Sequence, residues 1–185
     1  MIETINELFT FLKNPTLEKD SNTNFLYRLK KFFSIFFICL ITSFFLSIFI
    51  STIEKTGLIN TENHSVESLY KRASPLYFFM YAVIFAPLIE EAIFRAPLTL
   101  FKQNNYYKII FYLFAAAFAL IHIINYEISL NILLFAPIII APQMIIGLYL
   151  GFIRIRFGLL WSIALHSTYN GFLFIIFLIA KNAVT

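Results

Sequence analysis

Long apolar stretches separated by short polar segments are the dominant pattern of this sequence. A helix that spans a lipid bilayer needs about 20 mostly apolar residues. Five stretches are long enough, so the sequence predicts about five transmembrane helices, at residues 31–53, 76–100, 106–124, 131–153 and 159–180. The fourth stretch contains Pro137 and Pro142, which leave backbone carbonyls free for neighbouring helices to satisfy. We therefore expect an all-α fold, a polytopic integral membrane helical bundle.

The polar segments divide the chain into three parts. Residues 1–30 are polar and mixed in charge, and they predict a polar cytoplasmic N-terminal segment. Residues 31–75 hold the first transmembrane helix and an extracytoplasmic loop, and residues 76–180 form a membrane core. Basic residues flank the apolar stretches more often on the side of the N-terminus than on the opposite side. Because positively charged loops stay inside, this pattern places the N-terminus in the cytoplasm.

The composition excludes two classes of protein. The 185 residues are 60% hydrophobic and 13% charged, whereas an average soluble domain is about 45–50% apolar and about 25% charged. A soluble globular domain is therefore excluded, and the 24 Phe and 10 Tyr residues exclude a disordered chain. The net charge of +4 comes from basic residues at the ends of apolar stretches, so we expect a lipid bilayer as partner and no nucleic acid.

Several polar residues lie inside the apolar stretches, where a charged side chain costs about 2.5–3.5 kcal/mol. They are Glu90, Glu91, Arg95, His122, His166 and Asn170. Glu91 and Arg95 stand one helical turn apart and can form an ion pair. Glu90 points about 100° away from Glu91 around the helix. Each of these residues is therefore expected to face the bundle interior or a water-filled cavity.

A carboxylate, two imidazoles and an amide around one cavity suit hydrolysis. A desolvated glutamate is an effective base near neutral pH, and a neutral histidine can share the attacking water. A second histidine and an asparagine can donate hydrogen bonds to the oxyanion of a tetrahedral intermediate. Glu90, His122 and His166 would also make an acceptable zinc triad with one position left for water. The residues alone leave both mechanisms open.

Other interpretations of these residues need no hydrolysis. Hydrogen bonds between helices are a sufficient reason for His122, His166 and Asn170 to lie in a bundle. Intramembrane Glu and His residues also form proton relays in transporters, although this sequence has no internal repeat of the kind that transporters usually show. Gln143 in the fourth stretch is a further candidate for the cavity, whereas Ser162 is assigned no role.

Three motifs carry a family resemblance. Glu90-Glu91-Ala-Ile-Phe-Arg95 matches EExxxR, Phe118-Ala-Leu-Ile-His122 matches FxxxH, and His166-Ser-Thr-Tyr-Asn170 matches HxxxN. In this order, on apolar stretches, they resemble the CPBP family of intramembrane endopeptidases, also called the Abi or CAAX prenyl protease 2 family. The resemblance covers residues 76–180, which we interpret as a CPBP-like catalytic membrane core.

This resemblance implies an enzyme, an intramembrane (metallo)endopeptidase that hydrolyses a peptide bond in a membrane-embedded or lipid-anchored substrate. The substrate would be a membrane protein or peptide. The resemblance assigns Glu90 and His122 to the activation of water. It assigns His166 and Asn170 to the stabilisation of the oxyanion.

The resemblance also implies supporting residues and leaves the cofactor open. Glu91 and Arg95 would hold the site in shape. If a divalent metal such as zinc is used, Glu90, His122 and His166 would hold it. We favour the metal-free glutamate mechanism, because asparagine is a poor zinc ligand and a good amide donor.

The short chain resembles the compact bacterial members of the family more than the eukaryotic enzymes. This similarity implies a location in the bacterial cytoplasmic membrane. Bacterial members are linked to bacteriocin maturation or self-immunity. The alternative function is therefore that of a non-proteolytic bacteriocin self-immunity protein or membrane scaffold of the same fold.

Overall fold

The computed structural model describes residues 1–60, 74–101 and 105–184 of the chain. Within these ranges the regular structure is entirely helical. A π-helix (Met80–Phe85) joins α3 to α4, and 3-10 helices follow α4 (Ala96–Phe101) and α5 (His122–Asn125). The α-helices are α1 (Ile2–Lys13), α2 (Phe25–Glu54), α3 (Pro75–Phe79), α4 (Ala86–Phe94), α5 (Tyr107–Ile121), α6 (Leu130–Leu134), α7 (Ala136–Ile139), α8 (Ala141–Phe157) and α9 (Leu159–Val184).

Four of the described helical segments are long and apolar enough to cross a membrane. They are Phe25–Glu54, Pro75–Phe101, Tyr107–Asn125 and Leu159–Ala180. Their outer faces are apolar, and α2 exposes Phe37, Ile41, Phe44 and Phe45 along its length. Soluble proteins rarely expose continuous apolar surface of this extent, whereas lipid chains can cover it. The predicted all-α, polytopic helical membrane bundle is confirmed.

The fourth predicted span differs from the single helix expected at residues 131–153. The structure divides this stretch into α6, α7 and α8, with breaks at Phe135 and Ile140. Pro137 and Pro142 each occupy the first turn of the helix that follows a break. A residue without an N–H can start a helix but cannot continue one, which explains both breaks. The remaining helix α8 has 17 residues and is therefore about 25 Å long.

Helix α8 is the central helix of the bundle, in contact with α1, α2, α5 and α9. Two glycines on α8 let α5 approach closely. A Cβ atom at Gly151 would lie 2.6 Å from the Phe111 ring, and one at Gly147 would lie 3.0 Å from the Phe118 ring. Small residues four positions apart allow such close packing between membrane helices. They bring the end of α5, directly before His122, against the start of α8.

The N-terminal segment, predicted as a polar one, contains a helix that is docked on the bundle. Leu8 and Phe11 of α1 are buried in the main core. Lys31 of α2 pairs with Glu3 at 3.1 Å and with Glu7 at 2.7 Å. Two side chains of α5 donate hydrogen bonds to the last carbonyls of α1. Residues 1–13 are therefore part of the packed structure.

The other parts of the predicted organisation stay predictions. The extracytoplasmic loop expected before residue 76 falls mainly on residues 61–73, which lie outside the described residues. The boundaries at residues 30, 75 and 180 and the cytoplasmic position of the N-terminus remain expectations from the sequence.

Candidate active site

The EExxxR motif lies in and directly after α4, and its two carboxylates point in different directions. Glu91 is completely buried, whereas the side chain of Glu90 is 25% exposed. Consecutive residues of an α-helix point about 100° apart, so one carboxylate faces the bundle interior while the other lines a cavity. Arg95 places Nη1 3.4 Å from Oε1 of Glu91. This contact is the ion pair expected from their spacing.

Arg95 joins three helices behind the cavity. Its guanidinium lies over the ring of Phe118 on α5, 3.9 Å from the ring centre. Its Nη2 donates to the carbonyl of Gly147 on α8 at 3.4 Å. A buried cation needs an opposite charge and hydrogen-bond acceptors, and Glu91 and Gly147 supply them. Arg95 therefore acts on the position of the helices rather than on the contents of the cavity.

His166 of α9 lies between the two carboxylates. Its Nδ1 is 3.0 Å from Oε1 of Glu91, and since a carboxylate only accepts, Nδ1 donates this hydrogen bond. Its Nε2 lies 3.6 Å from Oε2 of Glu90. Ser162, one turn earlier on α9, donates to the second oxygen of Glu91. Glu91 thus fixes the orientation of the His166 ring and leaves Nε2 directed towards Glu90.

His122 begins the 3-10 helix after α5, and its ring is held by the preceding turn. Nδ1 lies 2.7 Å from the carbonyl oxygen of Phe118, and a carbonyl only accepts, so Nδ1 donates. The ring centres of Phe118 and His122 are 4.8 Å apart, and those of Phe118 and His166 are 5.8 Å apart. The FxxxH spacing therefore places Phe118 in contact with both histidine rings. Because Nδ1 of His122 makes the hydrogen bond to Phe118, Nε2 of His122 remains for another partner.

Asn170 is anchored on a carbonyl that the π-helix leaves free. The N–H of Ala86 bonds to the carbonyl of Tyr81, and Pro87 has no N–H. In this described segment the Ala82 carbonyl therefore has no hydrogen bond from Ala86, whose N–H bonds to Tyr81, and none from Pro87, which lacks an N–H. Nδ2 of Asn170 donates to that carbonyl at 2.9 Å, as a bilayer requires for any exposed carbonyl. Nδ2 carries a second hydrogen, which remains for another acceptor.

These side chains surround a cavity of about 480 Å³. The structure brings together four of the predicted residues in its lining, Glu90, His122, His166 and Asn170. The two predicted supporting residues, Glu91 and Arg95, lie behind this lining and contact His166 and Phe118. The rest of the wall is largely apolar, with contributions from Phe78, Tyr81, Leu173, Phe174 and Phe177.

Two further residues belong to the site. Gln143, a candidate from the sequence, lines the cavity from the first turn of α8. Ser162, to which the sequence assigned no role, holds Glu91. The spacing along the sequence could have indicated Ser162, because Ser162, His166 and Asn170 follow one another at intervals of one turn on α9. The hydroxyl of Ser162 is completely buried and faces a carboxylate rather than the cavity.

A metal held jointly by Glu90, His122 and His166 does not fit the described arrangement. Among the described residues, no three His, Cys, Asp or Glu side chains are placed so that they could hold a metal ion. The Nδ1 atoms of both histidines donate to other groups, so only their Nε2 atoms are directed to the cavity. The side chains therefore present a carboxylate, two ring nitrogens and an amide to the cavity as separate groups.

The comparisons with known proteins give one match. The model of the Rce1-like family, described as type II CAAX prenyl endopeptidase Rce1-like, matches residues 72–172. This range is more than half of the 185-residue chain and contains the EExxxR, FxxxH and HxxxN motifs. No curated protein and no solved structure matches the chain.

Proposed function

Because the chain belongs to the Rce1-like family of type II CAAX prenyl endopeptidases, we propose that it is an active intramembrane endopeptidase. Its substrate is a membrane-embedded or lipid-anchored protein or peptide. The observation that carries the proposal is the meeting of Glu90, His122, His166 and Asn170 in one cavity. These residues come from three helical segments up to 80 positions apart in the sequence, counted from Glu90 to Asn170.

Glu90 and His122 activate the water in this mechanism. Glu90 is the carboxylate that reaches the cavity, and a partly desolvated carboxylate takes a proton from water effectively. Nε2 of His122 is a second acceptor for the same water, since Nδ1 is used by Phe118. The water oxygen bonds to the scissile carbonyl carbon while its proton moves to Glu90. That proton later passes to the amine nitrogen as the carbon–nitrogen bond breaks.

His166 and Asn170 stabilise the oxyanion that forms on the scissile carbonyl. The second Nδ2 hydrogen of Asn170 is available for this oxygen, because the first is directed to Ala82. Nε2 of His166 donates to it when the ring carries two protons. Fixed donors in a site with little water stabilise such a charge strongly. Both donors are held by groups behind the cavity, Glu91 for one and the π-helix for the other.

The test compares new peptide termini in membranes from cells that make the wild type or Glu90→Gln at equal levels. Loss of a general base lowers cleavage about 10²–10⁴-fold, so termini specific to the wild type should disappear. Glu18→Gln is the matched control, since Glu18 is exposed and lies in the segment before α2. It should cleave as the wild type does.

Three other outcomes would change the proposal. Normal cleavage by Glu90→Gln would remove Glu90 from its role as the base. The absence of wild-type termini would contradict proteolysis and favour the non-proteolytic immunity or scaffold function. The proposed metal-free mechanism expects cleavage to persist with a chelator, whereas loss that zinc restores would assign a metal instead.

A further inference from the structure

Gln143 presents an unused acceptor at the edge of the cavity. Several buried side-chain nitrogen and oxygen atoms make no hydrogen bond within the described residues. Of these, only Oε1 of Gln143 belongs to a residue that lines the cavity. An acceptor buried without a partner is costly, and such groups call for a ligand or water. The atom is therefore a place where a bound molecule gains a hydrogen bond.

The position of Gln143 relative to the other cavity residues is fixed by α8. Gln143 stands one turn before Gly147, so the two share a face of the helix. Gly147 contacts Arg95 and Phe118, and Phe118 touches both histidines. The side chain of Gln143 thus enters the cavity from the α8 wall, while Asn170 and His166 enter from α9.

A peptide substrate needs acceptors as well as donors here. A substrate helix that is cleaved within a membrane must unwind and lose its helical hydrogen bonds. Each N–H group that is freed in this way needs a partner on the protein. Asn170 and His166 serve the scissile carbonyl, and Glu90 and His122 serve the water. A carboxamide can accept from an N–H and donate to a carbonyl of the same strand.

We propose that Gln143 binds the backbone of the peptide substrate, with Oε1 accepting one N–H group next to the scissile bond. This assignment rests on the proposed endopeptidase function. It makes Gln143 a substrate-binding residue that selects an unwound backbone rather than a particular side chain.

The test couples a change in the enzyme to a change in the substrate. A synthetic peptide spanning a cleavage site found for the wild type is made as a series in which one backbone N–H at a time is replaced by an ester oxygen. For the wild type, one ester near the scissile bond should lower kcat/KM about tenfold. Gln143→Met, of similar size and without the acceptor, should show about the same loss with the amide peptide. With that ester peptide, the kcat/KM of Gln143→Met should not fall any further.

Thr168→Val is the control, because it changes an exposed polar residue of α9 whose hydroxyl donates to the carbonyl of Ala164 on its own helix, and it should keep the wild-type ester profile. If Gln143→Met does not fold, Gln143→Asn, shorter by one methylene, should show the same missing coupling. An ester profile in either variant that matches the wild type overturns the assignment. A wild type that cleaves no peptide overturns the endopeptidase proposal, and the role of Gln143 with it.

Discussion

At the scale of single residues, the site separates two neighbouring carboxylates. Glu91 is completely buried and contacts Arg95, His166 and Ser162. Glu90 is partly exposed in the cavity. Among the ion pairs of the described residues, its partner is Nε2 of His166. The neighbours of Glu91 therefore compensate its charge, whereas the carboxylate of Glu90 stays available to react in the cavity. The two positions should therefore respond differently to the same substitution.

Glu91→Gln should unfold the protein more easily, whereas Glu90→Gln should not. Without the Glu91 charge, Arg95 is a buried cation without its counterion, which costs about 3–5 kcal/mol. The measurement is the thermal or denaturant unfolding of the purified variants in detergent. Glu90→Gln is the matched control, because it makes the same chemical change one position away. Equal stability of the two variants would contradict the assigned difference between them.

The sequence predicts most of the site at this scale, since a charged or histidine side chain in an apolar stretch is unusual and needs a reason. Serine gives no such signal. In this chain the hydroxyls of Ser34, Thr52 and Thr168 donate to carbonyls of their own helix. Ser162 cannot be told from them by residue type, and its contact with Glu91 depends on how α9 meets α4. Such a contact requires the three-dimensional structure.

At the scale of helices, prolines shape the site by the hydrogen bonds that they omit. Pro137 and Pro142 divide the fourth apolar stretch. The sequence predicts that each proline removes a backbone hydrogen bond, but it does not predict where the helix breaks. Pro87 acts differently, because it stands two residues after the end of the π-helix and helps to free the Ala82 carbonyl for Asn170. This arrangement joins residues 88 positions apart, so the pattern within one helix does not reveal it. π-Helical turns often occur at functional sites.

Pro87→Ala should lower kcat while leaving the fold intact. The restored N–H at position 87 can bond to Ala82 or Val83, so Asn170 loses its anchor and the oxyanion donor is misplaced. A misplacement of about 1 Å can cost about 10²-fold in rate. The measurements are kcat, KM and unfolding in detergent. KM and stability should change little, since an added backbone hydrogen bond does not disrupt a helix.

The matched control for this substitution is Pro137→Ala. Pro137 also lies in the first turn of a short helix, but that helix carries none of the four proposed catalytic residues, whereas Pro87 lies on the helix of Glu90. Its replacement should leave kcat at the wild-type value. If both variants have the same kcat, the Ala82 carbonyl does not position Asn170 for catalysis.

At the scale of the whole molecule, the structure extends beyond the matched family region. Residues 72–172 match the family model, yet α1 and α2 lie before this range and pack into the same core. Tyr169 of α9, next to Asn170, donates a hydrogen bond to Ser43 of α2 at 2.7 Å. The sequence predicted a polar segment at residues 1–30, because the apolar residues of α1 are interspersed with Glu3, Glu7 and Lys13 and form no long apolar stretch. The active-site helix is therefore supported by parts of the chain that carry none of its motifs.

Phe11→Ala should destabilise the entire bundle although Phe11 lies outside the matched region. Its ring is 3% exposed and packs edge-on against Phe111 at 5.3 Å and Phe152 at 5.2 Å, so truncation leaves a cavity that costs about 3–5 kcal/mol. Phe9→Ala is the control on the same helix, because Phe9 is 59% exposed, and it should change stability by less than about 0.5 kcal/mol. Unfolding of the purified variants in detergent measures both effects. If Phe11→Ala unfolds like the wild type, α1 is an appendage; if it unfolds earlier in a single transition, α1 and the active-site helices form one cooperative unit.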